Sequence, residues 1–231
     1  VCGPTVYDYI HIGNARTFVF FDVVAKYLRH SGYEVEYIQN ITDIDDRIIE
    51  RAKNEGKSWK EVADFYFEQF IGDTKKLGIT SPRYARATDY IDEVKKQVKT
   101  LKEKGVVYLI ENDGWYFDLK KFPDYGKLSG RTAQMAEDAI SRIDESEGKR
   151  NKGDFCVWKL ADKSEPGYWD DEELGYGRPG WHIEDTAITE KYFGPQYDLH
   201  GGGQDLIFPH HEAEIAQQES ASGLKPFVKY W

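Results

Sequence analysis

Residues 1–16 read VCGPTVYDYIHIGNAR, and this stretch decides the fold. Cys2 closes a short apolar strand end, Gly3 and Pro4 turn the chain, and an aromatic run leads through His11, Ile12, Gly13 and Asn14 into an amphipathic segment. That is a strand–loop–helix unit with a small-residue, histidine-bearing loop at a helix start. Helix N-termini carry unpaired N–H groups and a partial positive charge, which stabilise phosphates. The segment therefore reads as a nucleotide site with a thiol beside it.

The chain around it has 231 residues, 40% hydrophobic and 15% aromatic, enough for one large domain or a domain with an insertion. No run is apolar enough for a membrane span, and no signal-peptide pattern opens the chain, so no membrane partner is expected. Cys2 and Cys156 are far apart and do not make a disulfide framework; a cytoplasmic setting is expected. A net charge of −10 argues against nucleic-acid binding by bulk electrostatics, although not against a local basic patch. Val1 opens inside a strand pattern and Trp231 closes inside an aromatic run, which reads as a piece of a longer polypeptide.

Apolar positions recur at helical spacing over 14–31, with Gly32 as the stop. Alternation over 33–37 reads as a strand, followed by a polar loop over 40–46 and a short helix. Ser58 with Glu61 makes a capping box for a helix reaching about 77, and a further helix spans 89–104. The first 105 residues thus read as a doubly wound α/β start. From 106 the character changes: two apolar runs flank Asn112, Asp113 and Gly114, a hairpin signal; 120–152 is charged and irregular; and 154–160 is another strand. The α/β rhythm returns after Gly180, with a helix over 183–193, a strand over 197–200, a helix over 209–222 and a strand from 225.

Four groups can carry chemistry. His11, Gly13 and Asn14 place an imidazole at a helix start, with a glycine that lets a nucleotide approach; an ordinary loop histidine fits as well. Gly201, Gly202 and Gly203 follow a strand end, and Asp205 can accept ribose hydroxyls; a plain tight turn is the alternative. His210 and Glu214, four apart, share a helix face as two ligands of one metal would, whereas His211 and Glu212 are expected to point elsewhere; a solvated polar face is the alternative. Trp181, His182, Glu184 and Asp185 gather at a helix start, where acids suit the dipole in any case. Cys156 reads as a small core residue, and neither His30 nor His200 has a functional assignment.

In their order, CGPTVYDYIHIGNAR (2–16), NITDIDDRII (40–49), GDFCVWK (153–159), GRPGWHIE (177–184) and DLHGGGQDLIFPHHEAEIAQ (198–217) resemble the signatures of the cysteinyl-tRNA synthetase family of class I aminoacyl-tRNA synthetases. The resemblance runs from Cys2 to Trp231. It implies an α/β fold, a Rossmann-like (HUP-type) parallel-sheet nucleotide-binding core interrupted by a β-rich connective insertion. The core halves would be 1–105 and 177–231, and the insertion 106–176. It implies ATP-dependent activation of L-cysteine with Mg2+, then transfer to tRNA(Cys). His11 and Asn14 match the catalytic HIGH motif that holds ATP phosphates; Gly13, Gly201, Gly202, Gly203 and Asp205 complete the ATP site; Gly3, Thr42, Trp181 and His182 line the cysteine pocket.

The family coordinates one zinc ion through two cysteines, a histidine and a glutamate, which match Cys2, Asp185, His210 and Glu214 here. Asp185 stands where the family has its second cysteine. Aspartate is a legitimate zinc ligand and preserves the charge count, but it hardens the site. It binds directly or bridges through a water. A metal has a chemical reason here: shape alone separates cysteine from serine poorly, while a metal-bound thiol is held as thiolate. The KMSKS-type loop and the anticodon-binding domain of the family are not found in 1–231, so weak ATP binding and little aminoacylation are expected of these residues alone. Two other readings share the motifs: an ATP-dependent ligase joining cysteine to a small amine, and a non-catalytic nucleotide- or zinc-binding module.

Overall fold

A computed structural model of the chain describes residues 1–131, 146–165 and 167–231. The irregular stretch expected over 120–152 falls partly outside the described residues. The described chain divides into two compact units: residues 1–89 with 200–203, and residues 90–199 with 204–231.

In the first unit, α1 (Ile12–His30) starts two residues earlier than the apolar spacing suggests, because His11 acts as its N-cap. The strand expected over 33–37 is displaced. The ladder is β1 (Ile38–Ile41), in parallel register with β2 (Arg83–Arg86), Ile38 opposite Arg83 and Ile41 opposite Arg86. Residues 33–37 alternate in hydrophobicity, yet Tyr33 is exposed, while all four residues of β1 are buried. A parallel strand buried on both faces does not alternate, and Gln39 and Asn40 hid it further. Residues 1–6 run beside β1: the Val1 backbone nitrogen donates to the Ile38 carbonyl at 3.0 Å, and Thr5 bridges Thr42 in parallel. Two helices follow β1, α2 (Asp46–Glu55) and α3 (Trp59–Lys76), the latter opened by the Ser58–Glu61 capping box. Phe18, Ile41, Ile48, Val62, Ala63 and Phe70 form the core between these helices and the strands.

Two interactions fix the strand ends of this unit. Asp43, fully buried, accepts from Arg86 Nε at 2.7 Å, Thr88 N at 2.9 Å and Thr88 Oγ1 at 2.6 Å, tying the exit of β1 to that of β2. Asp22 on α1 accepts from the backbone N–H groups of Thr80 and Ser81 at 3.0 and 2.8 Å.

The second unit opens with α4 (Ile91–Glu103) and an antiparallel sheet in the order β3 (Val107–Ile110), β4 (Gly114–Phe117), β5 (Phe155–Leu160), β6 (Gly177–Pro179). The β3–β4 turn holds Asn112 at φ +61°, the left-handed conformation that a tight hairpin needs. Cys156 packs between Tyr108 and Tyr116 on this sheet. Beyond it come α5 (Ile183–Phe193), β7 (Tyr197–Leu199), α6 (Glu212–Ser222) and β8 (Val228–Tyr230), with β7 and β8 parallel. Val94, Val98 and Leu101 of α4, Phe117 and Phe155 of the sheet, and Ile183, Ala187, Ala213 and Ile215 of the last helices form one core. The helix expected from 209 follows a kink: Phe208 is extended at φ −136° and ψ +127°, and the chain after it leads into α6. Among the described residues no helix is long and apolar enough to cross a membrane.

Candidate functional site

The first unit carries the start of α1 and the glycine loop 201–203. At the start of α1, His11 Nδ1 accepts the Gly13 N–H at 3.0 Å, and Asn14 Oδ1 accepts the His11 N–H at 3.4 Å. The side chain of His11 thus caps the helix reciprocally. The cap has a chemical consequence. With Nδ1 the acceptor, the neutral ring carries its proton on Nε2, a donor left on the exposed side of the ring. Gly13 permits this arrangement, since a Cβ there would lie 2.7 Å from His11 Cε1.

Gly3 has a similar steric reason. Its N–H donates to Asn40 Oδ1 at 2.6 Å, and a Cβ would come 1.7 Å from the Asn40 carbonyl oxygen. Thr42, buried at the exit of β1, is held by its backbone to Pro4 and Val6, at 3.1 and 3.0 Å. The glycine loop 201–203 belongs to this unit too, through a 2.8 Å bond from Cys2 N to the Gly201 carbonyl. Asp205 lies in the second unit and is exposed.

Cys2 Sγ sits 3.3 Å from His200 Nε2, both buried. His200 had no assignment from sequence, and the pair is separated by 198 positions. The only available signal was that His200 ends a strand beside the glycine loop.

The second unit gathers a different set. Asp185 in the first turn of α5, His210 just before α6 and Glu214 in the first turn of α6 each offer one donor atom, and these atoms lie within 4.8 Å of one another. The three residues are 4%, 2% and 0% exposed. His210 Nε2 is 3.1 Å from Asp185 Oδ2, while its Nδ1 is 2.8 Å from His182 Nδ1. Trp181 lies over both rings, with centroids 5.0 Å from His182 and 4.8 Å from His210, and Phe155 meets His182 edge-on at 5.3 Å.

The electrostatics of the two imidazoles differ. Burial, reinforced by the charge on His210, holds the His182 pKa well below the ordinary histidine range. Burial also disfavours charge on His210, but the Glu214 and Asp185 carboxylates outweigh it and hold that pKa above the ordinary value. His182 is therefore the neutral acceptor, and His210 Nδ1–H the donor. His210 Nε2 faces the Asp185 carboxylate at 3.1 Å, and a bound cation would take the place of the proton on that nitrogen. Two carboxylates and an imidazole, all buried within one small volume, form a donor set that suits a divalent cation with borderline or hard preference.

One expectation about this cluster needs correcting. His211 does not point elsewhere: its Nδ1 is 2.7 Å from Glu214 Oε2. His211 and Glu214 are three residues apart, and at that spacing two side chains of one helix meet. Glu212 does point away, accepting from Gly126 N at 2.9 Å and Ser129 N at 2.6 Å, where it anchors a loop of the same unit.

Comparison with known proteins sets these observations in a family. A family model described as the class I tRNA synthetase (C) catalytic domain matches residues 1–231. Three relatives, each named cysteine–tRNA ligase, come from Thermoplasma volcanium, Thermoplasma acidophilum and Pyrococcus furiosus. They are 54%, 54% and 49% identical over 232 residues, covering all of this chain and 50%, 50% and 48% of theirs. The chain spans about half the length of these curated relatives. Two structures of Mycobacterium tuberculosis methionyl-tRNA synthetase with methionyl-adenylate share the fold, at TM-scores of 0.70 and 0.73 and 15% and 16% identity, covering 99% of this chain and 55% of those. The parallel strand pairs, the capped α1 and the ordered motifs agree with these matches, and the chain belongs to the family of class I tRNA synthetase (C) catalytic domains.

Proposed function

We propose that the protein activates L-cysteine with ATP and Mg2+ to cysteinyl-adenylate and passes the cysteinyl group to the terminal adenosine of tRNA(Cys), in the cytoplasm, with one zinc ion recognising the substrate sulfur. The observation that carries this reading is the convergence of Asp185, His210 and Glu214, buried donors within 4.8 Å of one another, in a chain about half identical to cysteine–tRNA ligases over its whole length. The names of those relatives favour a tRNA acceptor over a small amine.

Cys2, Asp185, His210 and Glu214 would hold the zinc, Asp185 directly. When bound, the metal supplies a Lewis acid that keeps the substrate thiol as thiolate, a contact that a serine hydroxyl does not match. Gly3, Thr42, Trp181 and His182 would line the cysteine pocket. In the adenylation step the cysteine carboxylate attacks the α-phosphorus and pyrophosphate leaves. His11 Nε2–H and the N–H groups at the start of α1 are the donors suited to the charge that develops on the phosphates, and Asn14 keeps the His11 backbone in place for this. Gly201, Gly202 and Gly203 would leave room for the adenosine, and Asp205 would accept its ribose hydroxyls.

Cysteine-dependent ATP–pyrophosphate exchange by the full-length protein tests the proposal, with serine as competitor. Exchange with cysteine about 10³-fold or more above serine is expected. Equal exchange with serine, or none with cysteine in zinc-loaded protein, refutes it.

A further inference from the structure

We propose that Gln217 is a positioning residue for the metal centre: its amide hydrogen bond across to the N-terminus of α5 sets the spacing between the helices that carry Asp185 and Glu214. The inference rests on the metal reading of Asp185, His210 and Glu214, and concerns how this chain holds those donors in register.

The donors come from two helix starts. Asp185 lies in the first turn of α5, three residues after His182; Glu214 lies in the first turn of α6, three residues before Gln217. A one-residue slide of one helix along the other would move a ligand by about 1.5 Å, more than a coordination sphere tolerates. Gln217 is fully buried, and its Nε2 donates to the His182 carbonyl at 2.9 Å. That carbonyl belongs to the N-cap of α5, the residue whose ring meets His210 Nδ1. One bond from α6 therefore holds both the ring that orients His210 and the turn that presents Asp185.

A second network of amides and carboxylates joins the same helices. Thr186 Oγ1 donates to Gln97 Oε1 at 2.6 Å, and Gln97 Nε2 donates to Gln218 Oε1 at 2.6 Å and Glu190 Oε2 at 2.9 Å. Gln218 Nε2 reaches Glu190 Oε2 at 3.3 Å. The Thr186 end of this network is next to Asp185 and within 3.5 Å of Gln217 Nε2, whereas the Gln218 and Glu190 side chains sit on residues at least one turn along their helices from Glu214 and Asp185. Gln217 differs from Gln218 in a second respect. Its Oε1 is buried with no hydrogen-bond partner among the described residues. A buried, unpaired amide oxygen opposes folding, so stability alone favours an apolar side chain of the same shape at this position. The amide gains its purpose from the donor bond to His182.

The test uses the full-length protein and three variants, Gln217→Met, Gln217→Leu and Gln218→Met. Zinc affinity is read by competition with a chromophoric chelator, and Tm is read on chelator-treated protein. Gln217→Met keeps the volume and loses the bond; its zinc Kd is expected to rise about 10- to 100-fold, the usual effect of losing an outer hydrogen-bond partner. Its metal-free Tm is expected to hold or rise. Gln217→Leu repeats the result should Met pack poorly. Gln218→Met is expected to lower Tm while leaving the zinc Kd within about twofold, because its partners lie away from the donors. A Gln217→Met Kd equal to wild type overturns the proposal, as does a Kd loss that follows Tm across all three variants. A wild-type protein that binds no zinc refutes the metal reading itself, and the role of Gln217 with it.

Discussion

Replacing Asp185 with alanine should uncouple the stability of the protein from zinc. Asp185 is 4% exposed and its Oδ2 lies 3.1 Å from His210 Nε2. In metal-free protein the substitution removes one charge-assisted hydrogen bond, worth about 1.5–3 kcal/mol, while Glu214 still faces His210. The larger effect is on the loaded protein. At free zinc equal to about 100 times Kd, a single site adds roughly 2.7 kcal/mol to the folded state. Loss of one of four ligands is expected to raise Kd by about 100-fold, which is ~2.7 kcal/mol of binding. At the same free zinc the metal then adds only about 0.4 kcal/mol. For a domain of this size 1 kcal/mol moves Tm by about 2–4 °C. The zinc-dependent rise in Tm should therefore fall from roughly 5–11 °C to about 1–2 °C. Asp185→Cys, which restores a soft donor, should keep or enlarge the wild-type shift and bring a thiolate-to-cobalt charge-transfer band in Co2+-loaded protein. The assay is a pair of thermal melts, with buffered zinc and with chelator, alongside metal analysis of tag-free protein. An Asp185→Ala protein that keeps the full zinc-dependent shift and stoichiometric zinc would refute direct ligation, and leave Asp185 a partner of His210 only.

Other outcomes can be checked alongside. His11→Ala should lower kcat for cysteine-dependent pyrophosphate exchange about 10²–10³-fold with little change in the KM for cysteine, since it removes one donor to the phosphates; a change confined to KM would count against that role. Asp43→Ala deletes a fully buried carboxylate bonded to Arg86 and Thr88 and should cost about 3–5 kcal/mol in urea unfolding; a loss under 1 kcal/mol would mean the ends of β1 and β2 are held otherwise. Asp22→Asn should cost about 1.5–3 kcal/mol at neutral pH. Although burial alone would raise the pKa of Asp22, its bonds to Lys26, Ser81 and Thr80 hold it below 3.8. The stability it contributes is thus fully present above about pH 4 and is lost as pH falls through the depressed value. Wild type and variant should converge in acid, and a gap that widens there would reverse the sign of the argument.

Local chemistry was legible along the chain. Ser58 and Glu61 form their capping box, Asn112 to Gly114 turn the hairpin, and α5 spans the residues its periodicity marks, because each depends on contacts a few positions apart. His11 was legible as a loop histidine at a helix start, yet the proton position on its ring became readable only from the Gly13 N–H that it accepts. The strand over 33–37 was misplaced because β1 is buried on both faces and carries Gln39 and Asn40, so alternation pointed to the wrong residues. β2 was not anticipated: Arg83–Arg86 is short and polar, and becomes a strand through pairing with β1.

The same division runs through the candidate site. The sequence alone determined which donors exist, the order of the motifs, and the departure at Asp185, since all of these are properties of residue type and position along the chain. Only the tertiary structure decided which donors meet. It set His200 against Cys2 across 198 positions, brought Asp185 to His210 across 25, and aimed Gln217 at the carbonyl of His182. Those pairings follow from how strands and helices bury their apolar faces against one another. Packing is a property of the whole core, and no local period along the chain encodes it.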